Sequence, residues 1–531
     1  MNLEFFKKNI VFTLITICFG VWMLFLIIGG VFASREVTFI DVLPTSHVVS
    51  DYTSVIPLER YLLEPFIGTT FTVAEGYEII LSFLLMYAII RVAYIVLRET
   101  VLEKSEKFNT LMNIARTYFW LVFLVFIFLI AGIATTLGIG YLVEGFLFIN
   151  SNWINLILYG IIISFILIAV ILAIFIVKLV RPKSRLKLER VKHPQKTLTK
   201  ILWVTGKEFR VFYIAFILFM GINFLSLHTN YPTQVIQTPL ATDQYLFDFH
   251  VHTTYSDGFL AAAPDRVDWY IAQGISGAAF TDHENQRGYQ EAKAYVEANH
   301  LDFIVIPGQE YTYHALDIHL NIFGLNVSII PPDKDFAGAA NTSTMFYYIK
   351  NVSDMIRYVK DVGGYVFVNH YSGPPGYPYT YEQLRDWGVD GFEVINSGHE
   401  MSPAIRAFCL ANNLTCIAGS DQHTNSELDT VTKLRLTPLN DPTNITNIFE
   451  NLNRNDHDAV LIQSPQKVNF PNTEGLLDFM EDFMNYYLNL DAFQVLSWIL
   501  WSLGGYFLFV LTYMLLKRLN LNKLKEKIES K

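Results

Sequence analysis

YLFDFHVHTTYSDG, residues 245–258, begins as an alternating apolar run and ends in side chains that can hold a metal. Aromatic and branched residues in alternation favour a strand. Side chains on a strand alternate faces, so His250 and His252 point the same way at its tip. Asp257 follows five residues after His252. Two imidazoles and a carboxylate this close make a candidate metal site at a strand end.

Further runs of this kind follow, seven in all: 245–253, 276–283, 302–313, 316–325, 365–371, 391–397 and 415–423. Helix-like pieces intervene at 263–274, 289–300, 344–364, 380–388 and 402–413. Pro264 and Pro403 sit where helices would start, and Gly274, Gly364 and Gly388 where they would stop. Strand and helix in alternation predict an α/β fold with a parallel sheet or barrel. The third and fourth runs join too tightly for a helix between them, which predicts an antiparallel pair there.

Nearly every run ends in a residue able to bind a cation. The first gives His250 and His252, the second Asp282 and His283, the third Glu310. The fourth holds His319, the fifth ends in His370, the sixth carries Glu393, and the seventh ends in Asp421 and His423. In a parallel barrel the carboxyl ends of the strands share one face, so ligands far apart in sequence converge there. His300, His314, His399 and His457 lack this placement and read as ordinary core or surface imidazoles.

In chain order, HVHTTYSDG, TDH, PGQE, NHY and GSDQH resemble the PHP (polymerase and histidinol phosphatase) superfamily. VIPGQEYTYHALDIHLNIFGL and GVDGFEVINSG resemble its CehA/McbA-type metallohydrolases. The resemblance covers 243–425. It implies a distorted (β/α)7 TIM-like barrel holding two or three divalent ions, zinc, manganese or iron. It further implies that His250, His252, Glu310 and Asp421 hold the first ion. Glu310 would bridge to a second held by His319 and His370, and Asp257, His283 and His423 would hold the third. Asp257 stands where some relatives carry His. NHY replaces a frequent His-Pro, which leaves Tyr371 facing the site.

Imidazole with carboxylate suits borderline cations and lacks the thiolates of a structural zinc knot. Water bound to such cations loses a proton near neutrality, so the expected nucleophile is a hydroxide held by the metal ligands. Asp282 and Glu393 are expected behind the ligands, with Asn396 beside them. Arg287, Tyr371 and Asn396 are candidate substrate contacts. The expected activity is a metal-dependent hydrolase, a phosphoesterase foremost. Because the domain is short of Lys and Arg, a carboxylic ester, amide or carbamate hydrolase stands as an alternative. A metal-dependent sensor or transporter-associated domain is a second alternative, opposed by the scarcity of charge inside the apolar spans.

Those spans come from the rest of the chain. Of 531 residues 52% are hydrophobic and 17% charged, with a mean hydropathy of +0.32. Six segments are long and apolar enough for a ~30 Å hydrocarbon layer: 10–32, 76–97, 117–141, 154–180, 211–227 and 492–516. The first follows Lys7 and Lys8, but its apolar stretch is too long for a signal core, so it reads as an uncleaved span. The expected organisation is a membrane domain over 1–227 with about five helices, a metallohydrolase domain over 243–470, and a tail over 471–531. The tail would hold an interfacial or barrel-capping helix, a last span and a basic end.

Loop charge orients the spans. Segment 178–210 carries eleven Lys or Arg and 517–531 six, whereas 142–153 has none and 33–75 only Arg35 and Arg60. The positive-inside rule then puts both termini in the cytoplasm and 228–490 outside. Residues 241–470 hold 28 Asp or Glu and 13 Lys or Arg, a formal charge of 13 − 28 = −15. Such a domain is no nucleic-acid clamp. The expected partners are a lipid bilayer and a small-molecule or lipid-linked substrate. Cys409 and Cys416 lie seven residues apart, and five Asn-x-Ser/Thr sequons fall in the outer segment, at Asn326, Asn341, Asn351, Asn413 and Asn444. Both features are compatible with an extracytoplasmic location.

Overall fold

The structure is a computed structural model that describes residues 10–43, 47–50, 52–75, 233–237, 243–258, 261–313, 316–332, 346–349, 351–371, 378–425, 427–436, 444–453, 456–470 and 476–529. In chain order these form α1 (Ile10–Phe32), β1 (Thr38–Asp41), β2 (Val48–Val49), β3 (Thr53–Val55), α2 (Leu58–Glu75), β4 (Val235–Gln237) and β5 (Gln244–Val251). Next come α3 (Ala263–Gln273), β6 (Gly277–Phe280), α4 (Arg287–Asn299), β7 (Ile304–Tyr313), β8 (Ile318–Phe323), β9 (Ser328–Ile330), β10 (Phe346–Tyr348) and α5 (Val352–Asp361). The rest are β11 (Tyr365–Val368), α6 (Tyr381–Trp387), β12 (Gly391–Asn396), β13 (His399–Glu400), α7 (Pro403–Ala411), β14 (Thr415–Gly419), β15 (Thr430–Arg435), α8 (Ile445–Asn453), β16 (His457–Gln463), α9 (Leu476–Leu488) and α10 (Ala492–Glu529).

These elements fall into two compact units. The strands and α3–α8 make one. All seven expected runs are strands of it, in the neighbour order β5-β6-β7-β8-β11-β12-β14. A parallel bridge from Val251 to Gln422 returns the last strand to the first, so the seven form a ring. Neighbours pair in parallel except around β8, which is antiparallel to both β7 and β11. The expected antiparallel join is therefore present, and it has a second side. The ring's lining takes one or two residues from each of six strands: Phe247, Phe249, Ala279, Ile306, Phe323, Phe367 and Ile417. Phe449 and Leu452 of α8 pack against that lining. Burying each of the larger of these side chains, Phe, Ile or Leu, contributes roughly 1.5–3 kcal/mol.

Helices cover the outside of the ring. α5 buries Val352, Met355, Ile356 and Val359, the i, i+3, i+4, i+7 stripe of an amphipathic helix. It is shorter than the helix expected over 344–364, because the aromatic run 346–348 pairs as β10 with β9 instead. α6 starts on a capping box, with Thr380 and Gln383 bonding each other's backbone N–H, and stops at Gly388 in the left-handed region. Beyond β5 the sheet continues through β15, β16 and β1. β1 comes from far upstream of residue 243, with Thr38 opposite Gln463 and Asp41 opposite Val460.

The other unit holds α1, α2, α9 and α10. Its core mixes aliphatic and aromatic side chains: Leu26, Tyr487, Leu490, Val495 and Trp498 are buried together. Glu64 is buried too, accepting from Arg60 Nε, Gln494 Nε2 and Tyr486 Oη at 2.9, 2.9 and 2.6 Å. Its full set of donors offsets the cost of burying a charge. Among the described residues, two helical stretches are long and apolar enough to cross a membrane, Ile15–Phe32 and Ala492–Leu511. The spans expected at 76–97, 117–141, 154–180 and 211–227 lie outside the described residues. Segment 33–75, read as a loop from its sequence, holds three strands and the helix α2, which begins just after Pro57. α9, read as interfacial or as a cap on the barrel, belongs with these helices and packs Phe483 against Trp22 and Phe25.

Candidate metal centre

β5 does not keep its alternation to the end. Between Asp248 and Val251 its register against β6 slips, the signature of a bulge. Phe249 lines the ring and His250 still turns inward, although the two are neighbours. The bulge thus re-aims the end of the strand, and His250 and His252 project into the mouth together.

There they meet two carboxylates. Nε2 of His250 and Nε2 of His252 lie 3.2 Å apart. Glu310 Oε2 is 3.6 and 3.5 Å from them, and Asp421 Oδ1 is 3.3 and 3.1 Å away. His250 turns Nδ1 to Glu393 Oε1 at 2.7 Å, so Nδ1 donates and the neutral ring offers a lone pair at Nε2. His252 presents Nδ1 to Ser256 Oγ at 3.2 Å. Two nitrogen lone pairs and two carboxylate oxygens therefore face one point. Such a set repels itself unless protons or a cation sit among them, and its mixture of imidazole and carboxylate fits a divalent ion.

Glu310 divides its oxygens. Oε2 faces that group and His283 Nδ1 at 2.9 Å. Oε1 faces His319 Nδ1 at 2.9 Å and His370 Nε2 at 3.5 Å, and accepts from Asn369 Nδ2 at 2.9 Å. One carboxylate thus touches two groups, as a bridging ligand would. The third group centres on Asp257. Its Oδ2 lies 3.2 Å from both His283 Nε2 and His423 Nε2, and Oδ1 lies 3.5 Å from His252 Nδ1. In each of three sets the ligand atoms lie within 4.8 Å of one another: His250 with His252 and Glu310; Glu310 with His319 and His370; and His252 with Asp257, His283 and His423. His252 therefore stands between the first and third groups, where the sequence assigned it to one.

The groups differ in access. His250 and His252 are fully buried, while the side chains of Asp257 and His423 are 52% and 40% exposed. Electrostatics follow. Burial alone lowers His250, but Asp421, Glu393 and Glu310 outweigh it and hold its pKa well above the usual 6.5. His283 is likewise raised, by Glu310 and Asp257 against burial. His252 goes the other way: burial takes it down to about 4, against its bond to Asp421. Burial opposes ionisation of Glu310, yet the facing imidazoles hold its carboxyl well below the ordinary range, and Asp421 is depressed in the same way.

The other expected residues have clear places. Asp282 is buried and accepts from Thr253 N at 2.7 Å and Ser256 Oγ at 2.9 Å, so it steadies the loop that follows His252. Glu393 supports His250 and also accepts from the His370 backbone N–H at 2.9 Å. Asn396 donates to Glu393 Oε2 at 3.0 Å and reaches Asp421 Oδ2 at 3.5 Å. Arg287 opens α4 with its guanidinium 6.0 Å from the Tyr255 ring centroid. Tyr371 does not face the site. Its ring packs against Tyr381 and Phe392 in the outer core, and its hydroxyl donates to Tyr379 O at 2.9 Å. The chain turns sharply at His370, which has φ 25°, so the two neighbouring side chains diverge. Asp421, at φ 53°, is also in the left-handed region, where a residue with a side chain is held only by its surroundings. Cys409 and Cys416 are buried thiols.

Several supporting residues escaped the sequence reading. Thr312 Oγ1 sits 2.7 Å from His283 Nδ1, Asn369 holds Glu310, and Asp248 binds the backbone at His250 and Ser420. Asn369 precedes a ligand directly in NHY and Asp248 stands two residues before one in DFH, which was the one available signal.

No family profile matches this chain, and no curated protein does. Among solved structures it is similar to a two-domain protein containing a predicted PHP-like metal-dependent phosphoesterase from Bacteroides vulgatus, at 24% identity and TM-score 0.33, over 42% of this chain and 67% of that one. It is also similar to an amidohydrolase from Chromobacterium violaceum with bound sulfate, at 16% identity and TM-score 0.24, over 33% and 87% of the two chains. A third similar structure is PsfC from Pseudomonas syringae, at 15% identity and TM-score 0.29, over 46% and 99%.

Proposed function

We propose that this chain is a metal-dependent hydrolase of the PHP type, anchored in a membrane and working on phosphoesters. The observation that carries the reading is the convergence of His250 Nε2, His252 Nε2, Glu310 Oε2 and Asp421 Oδ1 on one buried point, at separations of 3.1–3.6 Å. Zinc, manganese or iron held there, and at the two groups sharing Glu310 and His252, would supply Lewis acidity and activated water for hydrolysis. In this reading Glu310 joins the first and second groups. Glu393, Asp282 and Asn396 hold imidazoles and loops in place. Asp257 and His423 form the exposed rim at which a substrate enters.

A second reading keeps the centre and changes the bond to a carboxylic ester, amide or carbamate. It is favoured by one feature: among the described residues, every cation-capable partner within ion-pair distance of Glu310, Asp257 and Asp421 is a histidine. A phosphate clamp would usually bring Arg or Lys. The apolar helices α1 and α10 suit an anchor, and the loop charges favour a centre outside the cytoplasm, with a small-molecule or lipid-linked substrate.

The test is direct. Full-length protein is purified in detergent, its transition metals are measured, and it is assayed with manganese or zinc on phosphomonoesters, phosphodiesters and carboxylic esters. Metal bound in more than stoichiometric amount and turnover of a phosphoester are expected. Turnover of carboxylic esters alone selects the second reading, and a protein that takes up no divalent ion ends both.

A further inference from the structure

The ring closes where β5 meets β14, and this seam separates the ligands. His250 and His252 stand on one side, Asp421 and His423 on the other. Direct pairing across it is brief: Asp421 N donates to His250 O at 2.8 Å and His252 N to Gln422 O at 3.1 Å.

α3 lies behind the seam and sends two side chains into it, one helical turn apart. Tyr270 donates to Asp248 Oδ2 at 2.5 Å. Asp248 Oδ1 in turn accepts from His250 N at 3.1 Å and Ser420 N at 3.0 Å, one on each strand. Arg266 grips further along. Its Nη2 donates to His252 O at 3.0 Å and Gln422 O at 2.9 Å, and its Nη1 to Thr424 O at 2.8 Å. Arg266 is fully buried, and among the described residues no carboxylate forms an ion pair with it. Asp248, Asp282 and Asp265 act on it from beyond contact distance, yet a buried cation with no carboxylate in direct contact is costly, and an apolar side chain would fill the same space more cheaply. What the guanidinium adds is a rigid fork that binds three carbonyls at fixed spacing. Those carbonyls belong to the ligand His252, to the residue between ligands Asp421 and His423, and to the next residue but one.

We propose that Arg266 is a positioning residue for the cation cluster, setting the distance between the two ligand-bearing strand ends across the β5/β14 seam. The proposal rests on reading the cluster as a cation site. It predicts an asymmetry: groups built across the seam depend on Arg266, whereas Glu310, His319 and His370, on β7, β8 and the end of β11, do not.

The test uses the metal-stripped full chain, titrated with Co2+ and with Zn2+ against a competing chelator. Arg266→Lys and Arg266→Gln are compared with wild type alone and in two backgrounds, Asp421→Asn and His370→Ala. Both Arg266 variants are expected to weaken cation binding about 10–100-fold while the metal-free protein still melts cooperatively. In the His370→Ala background the same loss should recur. In the Asp421→Asn background, where the first group has already lost its ligand from the far side of the seam, the further loss should be smaller than that. Equal losses in both backgrounds, no loss at all, or failure of both variants to fold would each overturn the proposal. If wild type itself binds neither ion, the cation reading has failed instead, so the two failures are distinct.

Discussion

Nδ1 of His250 and Oε1 of Glu393 lie 2.7 Å apart, and both side chains are fully buried. The carboxylate fixes which imidazole nitrogen is protonated and so leaves the other for a cation. Glu393→Gln puts an amide there, which can offer its NH2 to the ring and favour the wrong tautomer. Cation affinity should fall about 10–100-fold with little change in the melting of the metal-free protein. Chelator competition reads the first quantity and calorimetry the second. An unchanged affinity would remove Glu393 from the site's machinery.

Glu310 touches both of its neighbouring groups through different oxygens. Glu310→Gln should therefore lower the number of cations bound, beyond weakening one of them. Activity on any substrate the wild type hydrolyses should drop by about 10²-fold or more. The metal-to-protein ratio from elemental analysis decides this. A full complement of ions in the variant contradicts a bridging role.

Protons compete with cations at this centre. His250 and His283 are held well above their usual pKa in the metal-free chain, chiefly by Asp421, Glu393, Glu310 and Asp257 working against burial. Both rings therefore hold a proton more tightly than a free imidazole does, and a cation must displace it to reach the nitrogen lone pair. Because the folded values are raised, apparent affinity must rise as pH rises through the ordinary imidazole range and beyond. Titration calorimetry at pH 7 in buffers of different ionisation enthalpy should show net proton release. Proton uptake, or affinity falling with pH, would contradict these charge states.

Tyr371 tests the one expected contact that turned away. Its hydroxyl is bonded to Tyr379 O inside the outer core. Tyr371→Phe should cost stability of roughly 0.5–1.5 kcal/mol and leave kcat/KM unchanged within about twofold. A selective loss of activity at unchanged stability would return this side chain to the site.

Much of the centre could be read directly because most of its ligands sit at or near strand ends, which branched and aromatic runs mark, although Glu310 lies within β7. His250, His283, Glu310, His370 and Asp421 all follow such runs, and the structure brings them together. The bulge in β5 left no mark, since period-two alternation continues in the letters while the backbone slips. Asp248 and Arg266 were hidden for a related reason: their partners are backbone groups, which every sequence possesses. β1 was beyond reach altogether, because its pairing partner lies more than four hundred residues away. The run at 346–348 shows the opposite failure, where aromatic residues fit a helical spacing yet pair as a strand.

Thr38–Asp41 lies against Val460–Gln463 and thereby extends a sheet most of whose strands are encoded far downstream. A fragment cut to begin at residue 243 would keep every ligand and still bare the edge of β16 over Val460–Gln463, whose free N–H and C=O groups invite self-association. During synthesis, too, the upstream strand has to wait for nearly the whole chain to emerge before it can dock. Anyone trimming this protein for crystals should carry residues 38–55 along, whether by fusion or by co-expression.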